Sequence, residues 1–544
     1  MNPALPDTLR AAARTLSSTP IASLFERDGE RVERLGWTWQ GFRVDLSKER
    51  ITPEAMAGLF AHAEDAGLAR WIAALFAGEK VNVSEARPVL HPALRDASAA
   101  PLAVDGADLR ADIRAMRASV ARWADEIRGG ARTGAGGEPI RHIVHLGIGG
   151  SDLGPRLVVE ALSADAPAGG PGVSFVANVD PVALDRALAP LDPRTTLFVI
   201  ASKGFATQET LANARAARDW LEASLPRGAD PMRHFVAATA NAKGAAAFGV
   251  PRDAILAFHE GVGGRFSLWS SVGVTIAAAL GNEMHGELFA GAHAMDRHFA
   301  TAPFDANLPV VLALAGLWNA AALGLTQRVV VPYAEALALL PTYLQQLSLE
   351  SNGKRVTRDG TPVEGRTVPA LWGGIGTDGQ HAFFQWLHQG TDAVPVEFIV
   401  PVAPVRGDAK RHALLVANAL AQAQALALGR APEVVAAELS RRGQVASGTA
   451  IAARACPGDR PSTTILTPPV DARTLGALLA LYEHRTFVEG ILWGINPFDQ
   501  FGVELGKLLA DPIAAALTEG RELAPGTDAS TRALVAHVRA AGNR

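Results

Sequence analysis

A chain of 544 residues is too long to fold around one core, so two or more domains are expected. Its 48% apolar and 19% charged content is that of an ordinary globular protein, and a net charge of −4 without a basic stripe argues against an electrostatic nucleic-acid binder. The single cysteine, Cys456, excludes an intramolecular disulfide and a paired-cysteine metal site, and fits a reducing cytoplasm.

The amino-terminal stretch "MNPALPDTLRAAARTL" has no apolar signal-peptide core, so secretion is not expected. Residues 1–110 read as mainly helical. "TPEAMAGLFAHAEDAGLARWIAALFAG" carries apolar residues at helical spacing, with Thr52 as N-cap and Gly78 near the end. After a glycine-rich loop at 128–139, "IRHIVHLGIGGSDLGPRLVVEAL" reads as strand, glycine turn and helix. "VSFVANVD", "TTLFVIASKGFATQET", "RHFVAATA" and "AILAFHE" follow, the alternation of a parallel sheet covered on both faces. The longest apolar run, "VVLALAGLWNAAALGLT", is interrupted by Asn319 and is short for a membrane span. "QRVVVPYA", "TVPALWGG", "AVPVEFIVPV" and "STTILTPP" then repeat the pattern. The expected fold is α/β, with two doubly wound parallel-sheet domains at 111–285 and 286–510. A helical segment over 1–110 precedes them and a helical arm over 511–544 follows.

Arginine outnumbers lysine 44 to seven, yet Lys203, Lys354 and Lys507 persist in motif-like stretches, where a compact ammonium differs from a guanidinium. "HLGIGGSDLGP" leaves a strand through Gly147, Gly149 and Gly150 and enters a helix near Ser151, a geometry suited to an anion at exposed N–H groups. Asp152 stands where a dinucleotide fingerprint needs its third glycine, which disfavours an NAD-dependent dehydrogenase. "ASKGFATQET" offers Ser202, Lys203 and Thr207 at a second strand end, either as a phosphate loop or as plain capping by Thr207. "GGRFSLWSSVG" places Arg265 after two glycines, where a guanidinium faces an oxyanion or is simply buried.

"LQQLSLESNGK" sets Glu350 where an apolar helical run breaks, either as a solvated carboxylate or as a positioned base. His381 and His388 in "GTDGQHAFFQWLHQGT" are seven apart, two turns along one helix face, but lack a third metal ligand, so no metal is expected. His381 alone, after Gly-Gln at a turn, is an acid/base candidate or a structural histidine. "NPFDQFGVELGK" places Gln500 and Lys507 seven apart on one apparent helix.

In their order, "GIGGSDLGP", "SKGFATQET", "GGRFSLWSSVG", "ESNGK", "GTDGQHAFFQWLHQGT" and "FDQFGVELGK" resemble the glucose-6-phosphate isomerase family, as do "VDLSKERIT" and "GEKVNVSEARPVLHPALR". The resemblance spans nearly the whole chain. It implies two sugar-isomerase (SIS-type) domains in a cytoplasmic homodimer that interconverts glucose 6-phosphate and fructose 6-phosphate through an enediolate, without cofactor, nucleic acid or membrane. It further implies Glu350 as the proton-shuttling base, His381 as the ring-opening histidine reaching the neighbouring subunit's site, and Lys507 as the lysine assisting near the ring. Arg265 matches the cation beside the enediolate. Gly150, Ser151, Ser202, Lys203, Thr207, Gln346 and Gln500 match substrate contacts. The chain departs at Gly204, where the family has a phosphate-contacting threonine, at Gly374, where glutamate is common, and at "ACPGDRPSTTI". A broader isomerase accepting mannose 6-phosphate and a non-catalytic sugar-phosphate sensor are the alternatives.

Overall fold

The computed structural model describes residues 5–98 and 100–542, and the chain divides into two compact units, 1–497 and 498–544. The first unit is built on two sheets. In one, five parallel strands lie in the order Gly172–Val176, His142–Leu146, Thr196–Ala201, Phe235–Thr239, Ile255–Ala257. The strands His142–Leu146 and Thr196–Ala201 are neighbours, with the strand between them in sequence lying outside. Their carboxyl ends therefore flank a topological switch point, where open α/β sheets leave a crevice. "GIGGS" and "SKGFAT" leave from those two ends.

The other sheet has six strands, and four of them, Ala370–Gly373, Gln327–Pro332, Val396–Pro401 and Ser462–Thr467, run parallel. Its remaining two strands come from the amino-terminal segment, which is therefore not purely helical. Gly36–Trp39 and Phe42–Asp45 form a hairpin whose inner strand pairs antiparallel with Ser462–Thr467. Gln40 and Gly41 both adopt positive φ, as a two-residue mirror-image turn requires. Trp37, Trp39, Phe42 and Val44 were the readable strand signal, but Gln-Gly is a weaker turn signature than Asn-Gly. Thr52 does cap its helix, accepting from the Ala55 N–H, yet the expected single helix is two, Pro53–Asp65 and Leu68–Phe76. Gly67, at φ +69°, breaks it.

Helix Ala472–Leu492 runs through the interior of this unit, buried at every position but Arg473. It packs against helix Asn282–Thr301. The crossing needs glycine twice: a Cβ on Gly291 would lie 1.8 Å from the Arg473 carbonyl oxygen, and one on Gly476 1.9 Å from that of Leu288. An all-buried helix must also neutralise its charges. Arg95 pairs with Asp296 and Glu483, and Arg485 with Glu397 and Glu489.

The second unit contains helix Glu504–Glu519, which runs through Pro512, and helix Ala529–Gly542, packed on one another. The boundary expected at 511 falls inside the first of these helices. No helix among the described residues is long and apolar enough to cross a membrane.

Candidate active site

Residues Gln346–Glu350 are wound as a π-helical turn, a distortion frequent at functional sites. The turn is tied from several sides. Arg328 Nη2 donates to Ser348 Oγ at 3.1 Å, and Asn352 Nδ2 to the Thr486 carbonyl at 3.0 Å. Lys354 Nζ donates to the carbonyls of Glu350 and Ser351, at 2.7 and 2.9 Å, satisfying oxygens left open at a helix end. These bonds fix the backbone and leave the Glu350 carboxylate to the site.

Arg265 is the centre of that site. Its side chain is 1% exposed, and its fork is held on several sides. Nε reaches Ser351 Oγ at 2.6 Å, Nη1 reaches Glu350 Oε1 at 3.3 Å, and Nη2 reaches the Pro497 carbonyl at 2.5 Å. A planar guanidinium held at all three nitrogens is a fixed positive charge. Gln346 Nε2 donates to the other oxygen, Glu350 Oε2, at 2.8 Å, so both carboxylate oxygens are oriented, while the side chain stays 23% exposed.

The glycine turn abuts this group. A Cβ on Gly150 would lie 2.0 Å from the Gly264 carbonyl oxygen and 2.5 Å from the Arg265 nitrogen, so only glycine permits the approach. Ser267 Oγ donates to the Gly150 carbonyl at 3.3 Å. His145 supports the turn from beneath, its Nε2 donating to the Ser151 carbonyl at 2.7 Å while Nδ1 lies 2.8 Å from Thr275 Oγ1. Burial lowers this imidazole's pKa to about 4.

On the second strand end, Ser202 Oγ and Thr207 Oγ1 lie 3.2 Å apart. Thr207 stands at the N-cap of helix Gln208–Ser224 without a side-chain capping bond. Its hydroxyl thus faces Ser202 across the loop, which weakens the plain-capping reading. The Lys203 carbonyl accepts from Thr239 Oγ1 and the Ala240 N–H. Burial lowers the Lys203 pKa, the charge of Arg87 adds to this, and Glu85 and Glu260 oppose it. The charge of Arg265 acts in the same direction as that of Arg87.

Glu350, Gln346, Arg265 and Gly150 are therefore assembled directly, with Ser151 on the same turn and Ser202, Lys203 and Thr207 on the neighbouring strand end. His381 is not hydrogen-bonded to them. It ends the short 3₁₀ turn Asp378–His381 and is exposed. His388 lies on the separate helix Phe384–Gln389, its Nε2 2.7 Å from Gln422 Oε1, so the two histidines do not share one helix face. Gln500 and Lys507 belong to the second unit. Gln500 precedes a 3₁₀ turn and Lys507 is exposed on helix Glu504–Glu519, so they too lie on different elements. Ser351, Ser348 and Pro497, which fix Arg265 and the Glu350 turn, escaped the sequence reading. Only the adjacency of Ser351 to Glu350 hinted at its part.

The phosphoglucose isomerase family model matches residues 45–535. A glucose-6-phosphate isomerase of Aromatoleum aromaticum is 48% identical over 97% of this chain and 95% of its own, and one of Cupriavidus taiwanensis is 46% identical over 97% and 96%. The crystal structure of a glucose-6-phosphate isomerase from Chlamydia trachomatis superposes with a TM-score of 0.84 at 31% identity, covering 98% of both chains. With a glutamate–arginine pair set against a glycine turn at a sheet switch point, and a likeness running the length of the chain, this protein belongs to the phosphoglucose isomerase family.

Proposed function

We propose that the site built around Glu350 and Arg265 carries the family's reaction, the reversible conversion of glucose 6-phosphate to fructose 6-phosphate in glycolysis and gluconeogenesis. The observation that carries the assignment of roles is the Arg265–Glu350 pair: a carboxylate oriented at both oxygens beside a fixed cation. Moving a proton between C2 and C1 requires a base that reaches both carbons, and an ordinary glutamate is ionised at pH 7. The charge developing on the enediolate oxygens falls to Arg265, which is already in place and needs no reorganisation. The phosphate is held by the Gly150 N–H, the hydroxyls of Ser151, Ser202 and Thr207 and the Lys203 ammonium, with Gln346 and Gln500 as further contacts.

The sugar enters as a ring. Opening it breaks the C1–O5 bond, removes the proton of the C1 hydroxyl and delivers one to O5, the work assigned to His381 with Lys507. An exposed His381 suits a residue that completes a neighbouring subunit's site. In the second unit Leu505, Leu508 and Leu509 are 64%, 70% and 55% exposed, a bare apolar face of the kind that a partner covers. On this reading the active form is a homodimer in the cytoplasm, in keeping with that face and with a single, unpaired Cys456.

A coupled assay that reads glucose 6-phosphate formed from fructose 6-phosphate tests the reaction; no turnover by the purified dimer refutes it. Assembly is tested by reassociating Glu350→Gln with His381→Ala subunits. Mixed dimers regain one intact site each, about a quarter of wild-type sites at equal mixing. No recovery, with mixed dimers present, places His381 in its own subunit's site.

A further inference from the structure

The turn that carries His381 is held by one side chain. Asp378 and His381 are exposed and Gly379 has no side chain, which leaves Gln380 as the residue of the turn that reaches inward. Its Nε2 donates to Tyr333 Oη at 2.8 Å. Tyr333 is 0% exposed and directly follows the strand Gln327–Pro332 of the six-stranded sheet, its N–H bonded to the Ile399 carbonyl at 2.8 Å. The approach to the turn is also seated on this tyrosine. The Gly376 N–H donates to the Pro332 carbonyl at 2.9 Å, and a Cβ at Gly376 would lie 2.5 Å from the Tyr333 ring.

We infer that Tyr333 is a positioning residue for His381: its ring and hydroxyl, acting through Gln380, set where the ring-opening imidazole stands. This rests on the assignment of ring opening to His381. The physical case is that the His381 imidazole makes no hydrogen bond among the described residues. Its position is inherited from the turn's backbone, and one side-chain bond links that turn to the rigid sheet. The phenol is suited to the task, since burial raises its pKa and keeps it a neutral hydroxyl. Loss of a single net hydrogen bond costs a few-fold, and a catalytic group misplaced by about 1 Å as much as 10²-fold, so a roughly ten-fold effect is expected.

The test separates ring opening from proton transfer. In Tyr333→Phe, turnover and the anomerisation of glucose 6-phosphate, read by exchange NMR, should both fall roughly ten-fold. Binding of an open-chain aldonic acid phosphate, which needs no ring opening, should stay within about two-fold. Gln380→Leu, which leaves the buried tyrosine intact, should reproduce the loss, and the double variant should be no worse than either single one. Gln380→Glu should recover activity, because the phenol can then donate to the carboxylate. Additive single effects, equal weakening of the open-chain ligand, or unchanged anomerisation in both single variants would overturn the inference. His381→Ala distinguishes the two levels. If it retains ring opening, the assignment of His381 fails; if it loses ring opening while Tyr333→Phe does not, only the positioning role fails.

Discussion

In the proposed reaction the two α/β regions of the first unit do different chemistry with similar scaffolds. The five-stranded sheet ends in short loops, 147–151 and 202–207, that offer backbone N–H groups, hydroxyls and one ammonium. The six-stranded sheet carries its groups on longer excursions: Glu350 lies between Gln327–Pro332 and Ala370–Gly373, and His381 after the latter. In the proposed reaction those groups exchange protons with a sugar. Affinity for a phosphate tolerates a rigid rim of donors, whereas proton transfer needs groups whose supports can be tuned separately. Arg265, reached from the first region and bonded to Glu350 and Ser351 of the second, joins the two.

The largest test of this division is Glu350→Gln, which keeps shape and hydrogen bonding but cannot accept the proton. Turnover should fall about 10²–10⁴-fold with substrate binding nearly unchanged. More than about a tenth of wild-type turnover would break the assignment of base chemistry to the second region.

The first region should fail in acid through its support. His145 has a folded pKa of about 4 against an unfolded value near 6.5. Below pH 6.5 the unfolded chain therefore binds the extra proton, so this contribution is complete above that pH and is lost as the pH falls toward 4. The loss is roughly 3.5 kcal/mol at about 1.4 kcal/mol per unit. Urea midpoints from pH 7.5 to 4.5 should drop more steeply for wild type than for His145→Gln; parallel slopes would refute it.

Lys203→Ala should weaken sugar-phosphate binding by about 1.5–3 kcal/mol, the range for a hydrogen bond to a charged group, with turnover at saturation less affected. The lowered pKa of this ammonium adds a pH signature. As pH rises through it the positive charge is lost, so KM should climb at alkaline pH. Lys203→Arg should flatten that climb. An identical rise in both would show that another group titrates.

The smallest effect is a gain. A Cβ on Gly204 meets nothing within 4 Å, so Gly204→Thr adds a hydroxyl without a clash. Inhibition by inorganic phosphate should tighten by roughly 0.5–1.5 kcal/mol, one net hydrogen bond. No change would place the phosphate away from this loop.

The sequence by itself determined the parallel strands, the glycine turns and the identity of the groups at the strand ends. Those follow from local rules: β-rich runs alternate with helical ones, and glycines stand where the chain must turn beside another backbone. It also carried Glu350 and Arg265 as candidates, though each had a plain structural reading of equal form. Tertiary structure supplied what neither reading could, by bringing residues 85 apart in sequence to 3.3 Å. It also placed the hairpin Gly36–Asp45 on a strand more than 400 residues away, showed that Gln500 and Lys507 do not share a helix, and made Tyr333 the anchor of the His381 turn. Periodicity reports which face of an element is buried, but not which distant element buries it, and the partners of a buried polar group are always of the second kind.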